Sequence, residues 1–322
     1  MKKITIALST FFLFLILFFL GPRPEVNDTL EYIEINDPEE YIISKESLYK
    51  ELKPNTQKQI NWYSKKGEKT EYSLVYVHGF SASRQEIAPV PELVAKNLGA
   101  NFFATRLTGH GLPGEFMKEG NVHSWLNDGN EAIAIGRLLG NKVLLIGVST
   151  GATVISALIS KPEFRDIHAV AFISPNFSPR DKNSSFLTIP WGNILIKSIL
   201  GNERKLNIRN EKQGMYWTAV YPSIVLRDMM ALVQYTNNSK IEDIKTPILF
   251  YYHEDDKVIS TDAIQNFKNR LASNLVHEII IHGDTGDSSN HLITGEIMAP
   301  NQVNYTVEEL TYFFQNLKLK SE

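Results

Sequence analysis

The sequence predicts an α/β protein built on a doubly wound, mostly parallel sheet, and three observations carry that prediction. Short apolar runs rich in β-branched residues alternate with amphipathic stretches through most of the 322 residues, the spacing of βαβ units. Residues 143–155, VLLIGVSTGATVI, put a buried-strand pattern, a glycine-flanked turn and a helix-forming run in direct succession. Reactive side chains, His78, Ser149 and Ser174 among them, fall just past apolar runs, where open α/β sheets gather catalytic groups.

Taken in order, residues 60–64 and 72–77 read as strand, turn and strand around Lys65-Lys66-Gly67-Glu68. A helix over about 90–98 and a strand over 101–105 follow, then Gly109-His110-Gly111. Trp125-Leu126-Asn127-Asp128 opens an amphipathic helix to Leu139, which leads into the strand before Ser149. After the helix that follows Ser149, residues 169–173 form another short strand. Residues 176–246 break the rhythm, with apolar patterning at 191–200, 215–220 and 224–235 but no strong strand. A connection this long within one α/β unit is unusual, so the stretch reads as a helical cap over the strand ends. Alternation resumes with strands at 247–252 and 276–281, a helix at 261–272 between them, and a closing helix at 307–317.

At 43% apolar and 21% charged residues the chain has material for an ample core. A net charge of −3 offers no basic footprint for a nucleic-acid partner. Cysteine is absent, which excludes disulfides, a thiolate nucleophile and a cysteine-held metal. At the N-terminus, Lys2 and Lys3 precede seventeen uncharged residues, 4–20. As a helix these span about 26 Å, the lower limit for crossing a bilayer. The basic end should stay cytoplasmic and the bulk of the chain lie on the other side. An uncleaved anchor over 1–21 is favoured over a cleaved signal peptide, because Phe18-Phe19-Leu20-Gly21-Pro22 lacks a small-residue cleavage site; export after cleavage is the alternative. Residues 22–59, rich in acids, read as a solvated linker before a catalytic domain over 60–322.

Gly147-Val148-Ser149-Thr150-Gly151 is a G-x-S-x-G sequence in the strand–turn–helix context that lifts a serine out of a sheet. A serine hydroxyl needs an adjacent base, and a histidine base needs a carboxylate to hold its tautomer. The expected chain order is serine, acid, histidine. Ser149, an acid after 247–252 and His291 supply that order, each just past a strand. Asp256 is preferred over Asp255 and Glu254 because Val258-Ile259 can anchor its loop. His291 is preferred over His253, which stands too close to the acid, and over His277 and His282, which flank the last strand. Thr150 and Phe80 offer the backbone N–H donors of an oxyanion hole: Thr150 follows the nucleophile, and Phe80 lies in the loop His78-Gly79-Phe80 after an earlier strand. His78 reads as a brace for that loop. No metal or organic cofactor is needed for this chemistry.

These motifs together, HGF at 78–80, GHG at 109–111, W-x-x-D at 125–128, GVSTG at 147–151, the Asp256-Lys257-Val258-Ile259 loop and His291, resemble the α/β-hydrolase superfamily over about 61–317. They look most like its lysophospholipase, monoacylglycerol lipase and carboxylesterase branch. The resemblance implies Ser149, Asp256 and His291 as a triad, Phe80 and Thr150 as the oxyanion hole, and a small acyl ester such as an acylglycerol or lysophospholipid as substrate. Two departures are His253, where that branch commonly has glycine, and Val-Ser-Thr in place of His-Ser-Met or His-Ser-Leu. Peptide, amide or thioester hydrolysis on the same triad is the nearest alternative, and a non-catalytic binding protein on a hydrolase scaffold a third. Trp191, Ile194, Leu195, Trp217, Leu226, Met229 and Met230 are expected to line an acyl site or to form the core of the cap.

Overall fold

The computed structural model describes residues 2–272 and 276–317. Met1 and 318–322, the outer ends of the first and last predicted segments, and 273–275 lie outside the described residues. The chain opens with helices α1 (Lys2–Phe19) and α2 (Pro38–Glu46) and continues through β1 (Gln59–Asn61), β2 (Thr70–Val77), α3 (Val90–Asn97) and β3 (Asn101–Ala104). Next come α4 (Val122–Leu139), β4 (Gly140–Val148), α5 (Thr150–Ile159) and β5 (Ala169–Ile173). The insertion holds α6 (Gly192–Leu200), β6 (Glu203–Lys205), α7 (Glu211–Tyr216), β7 (Val220–Pro222) and α8 (Val225–Asn238). The chain then runs through β8 (Ile248–His253), α9 (Thr261–Arg270), β9 (Val276–Ile281) and α10 (Val303–Gln315).

Seven strands form one sheet in the order β1-β3-β2-β4-β5-β8-β9, parallel throughout except for β1 at the edge. β1 pairs antiparallel with β3, so the two strands read on either side of Lys65-Lys66-Gly67-Glu68 lie apart, with β3 between them. Because successive strand residues point to opposite faces, the central strands feed two cores. Val75, Val77, Val143 and Leu145 join the cluster under α4, α5, α8 and α9. Leu74, Tyr76, Leu144 and Ile146 join the cluster under α3 and α10. With both faces covered, β4 reads as a continuous apolar run. β2 and β4 are the most central pair, and their carboxyl ends carry His78 and Ser149 side by side.

Three sequence expectations change. Among the described residues no helix is long and apolar enough to cross a membrane, so the expected transmembrane anchor is not found. The stretch read as a free linker is instead fastened down. Asp37 caps α2 through the N–H groups of Glu39 and Glu40, Glu46 grips the Arg106 guanidinium, Tyr41 and Lys58 meet Glu131, and Asp28 pairs with Lys161. Finally, the cap is not wholly helical. β6 and β7 pair antiparallel, and residues 215–220 leave α7 to enter β7, where β-branched Val220 suits extended backbone and Pro222 ends it.

Candidate active site

Ser149 stands between β4 and α5 with φ 50° and ψ −113°, a conformation a non-glycine residue holds only when its surroundings dictate it. They do so here. The Ser149 N–H donates to Ile173 O, and its carbonyl accepts from Ala152 and Asn176. At Gly151 a Cβ would lie 2.1 Å from Val77 O and 2.7 Å from His78 O, so only glycine lets α5 start this close to β2. The result puts the hydroxyl at a helix N-terminus, with Ser149 only 8% exposed.

His291 approaches from the loop after β9. Its Nδ1 lies 2.7 Å from Asp256 Oδ2 and its Nε2 3.1 Å from Ser149 Oγ. Asp256 is fully buried, and its Oδ1 accepts from the N–H groups of Val258 (2.7 Å) and Ile259 (3.0 Å). Oδ2 is thus turned to the imidazole. An ionised carboxylate only accepts, so Nδ1 carries the proton and Nε2 faces the hydroxyl as acceptor. Burial disfavours charge on His291, but the Asp256 carboxylate beside it, helped by Glu86, draws the imidazole above its ordinary value despite Arg209.

The His291 loop is pinned from three sides. Ser174 Oγ donates to His291 O (2.7 Å). Asp287, 1% exposed, accepts at Oδ2 from the N–H groups of His291 and Leu292 and from the Ser289 hydroxyl. From the cap, Arg209 pairs with Asp287 Oδ1, and Asn210 Nδ2 donates to Ile297 O (2.9 Å).

The loop after β2 lies against Ser149: a Cβ on Gly79 would stand 3.3 Å from Ser149 Cβ. Leu107 N–H donates to His78 Nε2 (3.1 Å), so the ring proton sits on Nδ1 and is donated to Gly79 O (2.8 Å), which also accepts from Ala82 N–H. Burial and the neighbouring His110 hold His78 well below its ordinary pKa; it is a brace and carries no charge. A trans peptide sets C=O and N–H in opposite directions, so fixing Gly79 O toward His78 turns the Phe80 N–H away from it. Among the described residues, neither the Phe80 nor the Thr150 N–H donates to a protein acceptor. The Phe80 ring meets His110, Trp125 and Tyr221 edge-on.

The competing residues are occupied elsewhere. His253 bridges Gly283 O and the Asp255 N–H, His282 pairs with Glu254 on the surface, and His277 meets the Phe313 ring edge-on. Asp128 grips the Thr108 N–H and hydroxyl, and His110 Nδ1 donates to Thr108 O, so the GHG and W-x-x-D motifs shape one loop. Of the cap residues, Trp217, Met229 and Met230 are buried, and Met229 Sδ accepts from Asn176 beside Ser149. Trp191, Ile194 and Leu195 lie on the outer surface, with the Trp191 ring N–H donating to Leu17 O of α1. Glu86 escapes a sequence reading: it is 2% exposed, and its Oε1 accepts from the Gly79 N–H and the Tyr76 hydroxyl.

The sheet order, the strand–turn–helix at Ser149 and the long insertion before β8 define the class as an α/β-hydrolase. The chain belongs to the Hydrolase_4 family, described as serine aminopeptidase S33, whose model matches residues 68–284. Three solved structures share the fold. A metagenome-derived lipolytic enzyme of the LipS and LipT pair is 15% identical, with 82% of this chain and 99% of that one covered at TM-score 0.65. A soluble variant of Saccharomyces cerevisiae monoglyceride lipase, in complex with a substrate analogue, is 12% identical, with 82% and 98% covered at TM-score 0.57. The monoacylglycerol lipase of Paleococcus ferrophilus is 14% identical, with 80% and 98% covered at TM-score 0.56. No curated protein matches the chain in sequence.

Proposed function

We propose that the protein is a serine ester hydrolase acting through an acyl-enzyme. The observation that carries this reading is the hydrogen-bonded chain from Ser149 Oγ through His291 to Asp256. Ser149 Oγ attacks the acyl carbonyl as His291 Nε2 takes its proton, and Asp256 stabilises the imidazolium. The N–H groups of Phe80 and Thr150 meet the oxyanion, a kind of contact worth about 10²–10³ in rate per donor. His291 returns the proton to the leaving alcohol. A water molecule, deprotonated by the same nitrogen, then attacks the acyl-enzyme carbonyl; His291 returns that proton to Ser149 Oγ as the acyl–oxygen bond breaks, and the carboxylic acid leaves. Met229 near the nucleophile and Tyr221 against Phe80 surround the site with apolar surface suited to an acyl chain. The fold neighbours described as lipases favour acylglycerols as the first substrates to try.

The test is labelling with a fluorophosphonate together with hydrolysis of short-chain p-nitrophenyl esters and monoacylglycerols. We expect the wild type to label and turn over, and Ser149→Ala to do neither; labelling that survives Ser149→Ala sinks the assignment. The family description favours a second reading, removal of amino-terminal residues from peptides. Turnover of aminoacyl amides above that of esters in the same panel selects it.

A further inference from the structure

The Phe80 N–H can serve an oxyanion only if both peptide planes flanking Gly79 are fixed. The plane after Gly79 is held at its carbonyl by His78 and Ala82. The plane before it is held by Glu86, whose Oε1 accepts from the Gly79 N–H at 2.6 Å and from the Tyr76 hydroxyl at 2.7 Å. A Cβ on Gly79 would lie 3.0 Å from Glu86 Oε2 and 3.3 Å from Ser149 Cβ, so carboxyl and nucleophile press on the same glycine. The turn that carries Glu86 is also wedged against the His291 loop. At Gly295 (φ +99°) a Cβ would stand 2.6 Å from Ile87 Cα and 2.8 Å from Glu86 O, and the Glu296 N–H donates to Ala88 O.

Resting on the hydrolase reading above, we propose that Glu86 is a positioning residue for both halves of the site. Its carboxylate aims the Gly79–Phe80 loop at the acyl oxygen, and its charge supports the His291 imidazolium formed when Ser149 gives up its proton. The electrostatics agree with the geometry. Burial pushes the Glu86 carboxyl up to about 7, against the bonds from Tyr76 and Gly79 and the charge of His291, which lower it. The titratable groups acting on it are Tyr76 from β2 and His291 from the loop after β9. Glu92 on α3 in turn acts on Tyr76 and on Arg84, and Asp256 and Arg209 act on His291. Glu86 and His291 therefore act on each other's protonation as a coupled pair, and full activity requires the Glu86 anion beside a neutral imidazole.

The test uses the full chain and p-nitrophenyl butyrate, with kcat and KM measured from pH 5 to 9. Glu86→Gln keeps an acceptor for the Gly79 N–H but removes the charge. It should lower kcat about tenfold with KM changed by less than about twofold, and move the acid limb of kcat/KM to lower pH by about half a unit or more. Tyr76→Phe removes a donor that favours the anion, so Glu86 holds its proton longer and the acid limb moves to higher pH. Opposite shifts support the proposal. An unchanged kcat and limb in Glu86→Gln, or lowered kcat with the limb unmoved in both variants, overturns it. Should Glu86→Gln fail to fold, the sign of the Tyr76→Phe shift decides. A wild type that neither labels at Ser149 nor hydrolyses any ester overturns the hydrolase reading and this proposal with it; an active, labelled wild type with unmoved limbs overturns this proposal alone.

Discussion

At the scale of single residues, one carboxylate has two tasks with two oxygens. Asp256 gives Oδ1 to the backbone of its own loop and Oδ2 to His291. Asp256→Asn keeps the shape but can present an amide donor to Nδ1, which favours the wrong tautomer. We expect kcat to fall by about 10⁴. The raised His291 pKa fixes the sign of the pH dependence. In the proposed mechanism His291 acts as base only when neutral, so kcat/KM should rise with pH through a limb above the ordinary value of ~6.5. In Asp256→Asn that limb should move down, since the charge that raises it is gone. Steady-state kinetics across pH check both outcomes.

At the scale of elements, the cap is joined to the catalytic loops by specific side chains. Arg209 and Asn210, at the start of α7, fasten to the loop between β9 and α10 that carries His291. Asp287→Ala strips the N–H groups of Ser289, His291 and Leu292, the Ser289 hydroxyl and the Arg209 guanidinium of their buried acceptor and should cost about 3 kcal/mol, with kcat lowered as His291 drifts. Arg209→Met leaves those backbone bonds intact and should cost less than Asp287→Ala. Thermal unfolding together with kcat separates the two; equal losses contradict this account. None of this was legible in the chain. Asp287 stands in the polar stretch Gly283-Asp284-Thr285-Gly286-Asp287-Ser288-Ser289, which reads as a solvated loop because its partner lies almost eighty residues away in sequence. Helix α2 is legible in the chain. Asp37-Pro38-Glu39-Glu40 is a helix-start signal, a capping acid followed by proline and acids. β6 and β7 were not, since three residues each, beginning with Glu203-Arg204-Lys205, carry no usable period.

At the scale of the whole molecule, the order of strands and the positions of Ser149, Asp256 and His291 could be read because each follows an apolar run, and runs of buried strand are the strongest pattern in a chain. Glu86 could not, because the turn it occupies has no period and its partners Tyr76 and Gly79 become neighbours only after the chain doubles back. Its burial also sets a stability term. A carboxyl lifted from 4.5 to about 7 in the fold binds its proton more tightly folded than unfolded. That contribution is fully present below pH ~4.5 and is lost as pH rises through 7, a span of up to about 3 kcal/mol. Glu86→Gln should therefore unfold at a higher temperature than the wild type at pH 8 and at a similar one at pH 4. The same charge would then weaken the fold in the pH range where the proposed chemistry needs it.

The cap touches the oxyanion side as well. The Thr218 N–H donates to Ser81 O at 2.7 Å, and Lys53 Nζ reaches Trp217 O at 2.6 Å. With Arg209 on Asp287, the roof is tied down on both banks of the reaction centre. The cap thus braces the loop that carries His291 and the turn after Phe80 together, and a change in its packing reaches both.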